Sequence, residues 1–85
     1  MNDTMDKINR DLRNVKCEGF CLEVGSEEMI VRRLNAWQFN VTIEHDGREI
    51  TYYAVDSQKV CDWAKQMISD NEESSYYPYY STVAA

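Results

Sequence analysis

The stretch from Trp37 to Val55, WQFNVTIEHDGREITYYAV, constrains this chain most, because one assumed turn sorts all of its side chains. A two-residue type I′ turn needs positive φ at both central positions, and Asp-Gly accepts that conformation. With Asp46-Gly47 in the turn, His45 faces Arg48. The following pairs are Glu44 with Glu49, Ile43 with Ile50, Thr42 with Thr51, Val41 with Tyr52, Asn40 with Tyr53, and Phe39 with Ala54. Paired residues share a face of the sheet. One face then carries Phe39, Val41, Ile43, Ile50, Tyr52 and Ala54, and the other Asn40, Thr42, Glu44, Glu49, Thr51 and Tyr53. A slip of one residue would mix the two sets. The segment therefore reads as a β-hairpin with an apolar inner face and a polar, acidic outer face. Glu44 opposite Glu49 is a like-charge pair that costs stability. The outer face is either a solvated surface or an acidic binding surface.

Upstream, DTMDKINRDLRNV (residues 3–15) places Met5, Ile8, Leu12 and Val15 on one helical stripe. Asp3 or Thr4 is placed to cap its start. Lys7, Arg10, Arg13 and Lys16 lie largely off the stripe. Residues 16–24, KCEGFCLEV, alternate as a strand, with Gly19 marking a bulge or a late start. Gly25-Ser26 supplies a turn. Residues 27–35, EEMIVRRLN, fit a capped helix or a strand, and the β-branched Ile30-Val31 pair favours the strand.

Downstream, Asp56-Ser57 offers a helix cap. Val60, Trp63, Ala64, Met67 and Ile68 then form a full apolar stripe. Trp63 is expected in the core against Phe39, Val41 and Tyr52. From Asn71 the periodicity stops. Pro78, between two tyrosine pairs, forbids a regular helix or a central strand. The expected division is one domain over residues 1–70 and a flexible, acidic, Tyr-rich tail over 71–85. Tyr76, Tyr77, Tyr79 and Tyr80 either dock on a partner or fold back over the sheet.

At 85 residues the chain has room for one small core and little room for a deep pocket. Its net charge of −6 argues against nucleic acid or an anionic membrane as a direct partner. A nucleic-acid reading would have to rest on Lys7, Arg10, Arg13 and Lys16 with Arg32 and Arg33. Three cysteines, Cys17, Cys21 and Cys61, with no signal-like leader, point to a reducing cytoplasmic setting. With a single histidine, His45, they are too few for a closed zinc site. No Gly-rich phosphate loop and no Ser/His/Asp arrangement is readable. The expectation is a non-enzymatic chain with no cofactor and no metal.

The order helix, three- to four-stranded antiparallel meander, helix defines a single α+β domain with both helices on one face of the sheet. With this size and charge, the MDKINRDLRN helix, the FNVTIEHDGREITYYAV hairpin and the capped SQKVCDWAKQM helix resemble small acidic inhibitors made by bacteriophages. In particular they are similar to the Listeria-phage anti-CRISPR proteins that block Cas9. The resemblance implies a phage- or mobile-element-encoded inhibitor acting in a bacterial cytoplasm. It would block a basic, nucleic-acid-binding surface of a host or defence protein by DNA mimicry. The partner-binding residues expected for this role are Glu44, Asp46, Glu49, Tyr53, Asp70, Glu72, Glu73, Tyr76, Tyr77, Tyr79 and Tyr80. The alternative is an interaction module acting as a homodimer or adaptor through a sheet edge or the Tyr-rich tail.

Overall fold

In a computed structural model, which describes residues 3–69 and 73–81, helix α1 spans Asp3–Arg13. It buries Ile8 and Leu12, as their spacing predicts, and also Asp11. The stripe stops there. Val15 lies beyond the helix and is 63% exposed, because the chain turns at Asn14 to enter the sheet. The end of α1 is capped from a distance. The Arg33 guanidinium donates to the carbonyls of Asp11, Leu12 and Asn14 and to that of Cys17, and it lies 4.6 Å from the Phe39 ring centroid. Helix ends leave their last carbonyls without partners, and a single five-donor fork fills several of them at once.

Strand β1 (Cys17–Val24) begins with a bulge between Cys17 and Gly19. A side chain at position 19 would not fit, since a Cβ there would lie 2.0 Å from the Val31 carbonyl oxygen. Gly25, with φ of 61°, carries the turn into β2 (Glu27–Arg33), which resolves the ambiguity of residues 27–35 as strand. Strands β3 (Gln38–His45) and β4 (Arg48–Asp56) form the hairpin, with Asp46 and Gly47 at φ 53° and 78°. Asp56 then accepts the Lys59 N–H at 2.9 Å and caps α2 (Ser57–Ser69).

The hairpin register agrees with expectation from His45–Arg48 to Val41–Tyr52. Beyond that it shifts. Phe39 faces Val55 rather than Ala54, so Tyr53 and Ala54 together oppose Asn40. Ala54 adopts φ of 54° and gives its N–H to the Asn40 side chain. This bulge turns Val55 inward in place of Ala54.

Residues Ser74–Tyr80 form a fifth strand, β5, antiparallel to β1, where a flexible tail was expected. The sheet order is β4-β3-β2-β1-β5. β5 is an edge strand, where a proline such as Pro78 is tolerated. Both helices pack on one face, over a single core of Ile8, Leu12, Phe20, Leu22, Met29, Val31, Phe39, Val41, Val60, Ala64 and neighbours. Trp63 sits at the margin of that core rather than inside it, half-buried, its ring 4.7 Å from that of Tyr52. No helix among the described residues is long and apolar enough to cross a membrane.

Candidate interaction face

Two helices on one side of a five-stranded sheet leave the other side bare among the described residues. Side-chain alternation fixes what that bare face displays. Glu23 pairs with Glu28, Glu28 with Glu44, and Glu44 with Glu49. Four glutamates thus stand side by side, one on each of four consecutive strands. Strands lie about 4.8 Å apart, so the row extends over roughly 14 Å. None of the four forms an ion pair among the described residues. The Cys21 thiol donates to Glu28 Oε2 at 3.5 Å. Burial and the neighbouring Glu28 and Glu23 push that thiol up to about 11, so it stays protonated at neutral pH.

The next row along the strands is Tyr77, Cys21, Ile30, Thr42 and Thr51. Thr42 and Thr51 join their hydroxyls at 2.9 Å. Beyond it lie Tyr79, Gly19, Arg32 and Asn40. A shallow groove of about 520 Å³ opens at that end, lined by Val15, Glu18, Ile30, Arg32, Leu34 and Tyr79. The face is therefore graded, acidic at one end and, at the other, aromatic and apolar around Arg32.

Of the residues expected to bind a partner, Glu44 and Glu49 are in the acidic row. Asp46 is at the hairpin tip, 3.2 Å from His45 Nε2. Tyr53 is exposed beside Asn40 at the bulge, and Glu73 is exposed just before β5. Asp70 and Glu72 lie outside the described residues. The four tyrosines divide by alternation. Tyr77 and Tyr79 point outward and are about half exposed. Tyr76 and Tyr80 turn inward, and both hydroxyls donate to the buried Asp11 carboxylate. Tyr76 also packs on Phe20 at 5.2 Å. The hydroxyls of these two are engaged within the protein, while the Tyr80 side chain stays 38% exposed.

Asp11 is 1% exposed and the only charged side chain in the described core. Burial pushes its carboxyl up, but the Tyr76 and Tyr80 hydroxyls and the Arg10 guanidinium outweigh this and hold it below its ordinary value. The same contact pushes the Tyr76 and Tyr80 phenols up, Tyr76 chiefly through burial and Tyr80 chiefly through the hydrogen bond. The α1–β5 junction is thus an ionised carboxylate held by two neutral phenols.

Glu23 and Glu28 were not singled out in the sequence, although a signal for them exists. Gly25-Ser26 is a two-residue turn like Asp46-Gly47, and placing it as one pairs Val24 with Glu27 and Glu23 with Glu28. Compared with protein families, with characterised proteins and with solved structures, the chain matches none.

Proposed function

We propose that this chain is a non-enzymatic protein-binding module that sets its bare sheet face against a basic surface of a partner. It acts as an inhibitor, occupying a surface the partner uses to hold nucleic acid. The row Glu23, Glu28, Glu44, Glu49 is the observation that carries this reading. Like charges directly opposite one another destabilise a sheet, by about 0.5 kcal/mol per pair at low salt. A surface with no task would gain stability by interleaving lysines. A regular line of carboxylates on a rigid sheet offers a Lys/Arg groove a substitute for a phosphate backbone. Ile30, Tyr77 and Tyr79 beside it supply apolar area, so charge steers the encounter and aromatic contact slows release. An origin in a phage or mobile element belongs to the same proposal.

The test is capture from bacterial lysate on the tagged chain, alongside a variant with all four glutamates changed to glutamine. The proposal expects a basic protein that wild type retains at low salt, that excess duplex DNA displaces, and that the variant loses. Equal retention by the two chains, unaffected by duplex DNA, rejects it.

A further inference from the structure

Among the described residues the sheet has two open edges, and they are built differently. β5 carries Pro78 near its middle, which offers no N–H to a further strand. β4 is nine residues long, contains neither proline nor lysine, and exposes Ile50, Tyr52 and Tyr53 at 55%, 39% and 73%. An edge of this kind is a template for another strand. The hairpin fixes which backbone groups are available. A two-residue turn makes His45 and Arg48 a hydrogen-bonded pair, and such pairs alternate with non-bonded ones. Glu49 and Thr51 therefore direct their N–H and C=O groups away from β3, towards the open side. The bulge at Tyr53 and Ala54 ends the regular stretch.

We propose that β4 pairs antiparallel with β4 of a second copy about a two-fold axis at Thr51, giving one sheet that runs through both molecules. In this register Ile50 faces Tyr52 of the second copy, and Glu49 faces its Tyr53. The three exposed apolar residues of the edge are all covered, and the pairing runs from Glu49 to the start of the bulge at Tyr53. Charge selects the direction of pairing. Arg48, which has no carboxylate partner among the described residues, falls opposite Ala54 of the second copy, two residues short of its Asp56. Parallel pairing would instead set Arg48 beside Arg48. The contact is small compared with obligate interfaces, so the dimer is concentration-dependent. It goes beyond the proposed inhibitor role and does not depend on it. Both acidic rows remain exposed, on the same side of the joined sheet.

Sedimentation equilibrium of the full chain tests this. Wild type should rise from 10.0 kDa towards twice that mass as concentration increases. Thr51→Pro removes an N–H that faces solvent in the monomer, together with the hydroxyl joined to Thr42, and it should remain monomeric with an unchanged far-ultraviolet circular dichroism spectrum. Paired residues of a hydrogen-bonded antiparallel pair have Cα atoms about 5.5 Å apart, within disulfide range. Thr51→Cys should therefore cross-link to itself under mild oxidation, where wild type, with its three native thiols, does not. This second variant decides the matter if Thr51→Pro fails to fold. A wild type that stays at the monomer mass up to its solubility limit overturns the proposal. So does a dimer that survives Thr51→Pro or that Thr51→Cys fails to cross-link.

Discussion

Tyr76 and Tyr77 are neighbours on β5, yet the protein uses them in opposite ways. Tyr76 turns inward, packs on Phe20 and gives its hydroxyl to Asp11. Tyr77 turns outward and is half exposed beside Cys21. The same contrast divides the whole sheet. On the inner side one buried charge receives donors from two tyrosines and an arginine, and no buried side-chain polar atom lacks a partner among the described residues. On the outer side four adjacent glutamates form no ion pair among the described residues. Electrostatics is resolved where the fold needs it and left unresolved where a partner can complete it. With binding proposed for the outer face, stability and binding fall on opposite faces, and a substitution should move one without the other.

The largest effects are expected on the inner face. Phe20→Ala should cost about 4 kcal/mol in denaturant unfolding, since it removes a fully buried ring from a small core. Arg33→Met keeps much of the side-chain length but leaves the last carbonyls of α1 and that of Cys17 without their donor, at about 3 kcal/mol. Neither loss should alter which partner an intact molecule retains.

Asp11→Ala should cost about 2–3 kcal/mol, with the excess hydrogen exchange confined to β5 and α1. Its pH signature has a definite sign. The folded Asp11 carboxyl lies below its ordinary value, so its contribution is present above about pH 3.9 and is lost as pH falls through the folded value. The raised Tyr76 and Tyr80 phenols contribute below about pH 10, and that contribution is lost as pH rises further. β5 amides should therefore lose protection at both extremes in wild type, and the acid limb should vanish in Asp11→Asn.

Smaller still is the matched pair that isolates the contrast. Tyr76→Phe should cost about 1.5 kcal/mol, the value of a hydrogen bond to a charged group, whereas Tyr77→Phe should leave stability within about 0.5 kcal/mol of wild type. On the outer face the sign reverses. Glu28→Gln should stabilise by about 0.5 kcal/mol at low salt, and the gain should disappear as added salt screens the row. Loss of stability in Glu28→Gln would show that the glutamate row is part of the scaffold.

Much of this was legible in the sequence, for local reasons. The Asp46-Gly47 turn fixed both faces of its hairpin, and the stripes of α1 and α2 reported their buried sides. Three features were not legible because they depend on contacts distant in the chain. Val15 continues the helical spacing, but Arg33 and the turn at Asn14 end the helix before it. Ala54 alternates correctly, but the bulge beside Asn40 passes the inward position to Val55. The tyrosine segment has no strand periodicity, and Asp11, more than sixty residues away, holds Tyr76 and Tyr80 down. The candidate face was half visible. Glu44 and Glu49 came from the first turn, while Glu23 and Glu28 needed the second one at Gly25-Ser26.

In the proposed function the row of four glutamates, and not the acidic charge of the chain at large, receives a basic partner. Titrating the isotopically labelled protein with a short arginine-rich peptide, while following backbone amide shifts, measures this residue by residue. Perturbations should concentrate around Glu23, Glu28, Glu44 and Glu49 and fade as salt is raised. Shifts spread evenly over the exposed acids, or centred on Asp3, Asp6 and Asp62 of the helices, would contradict it.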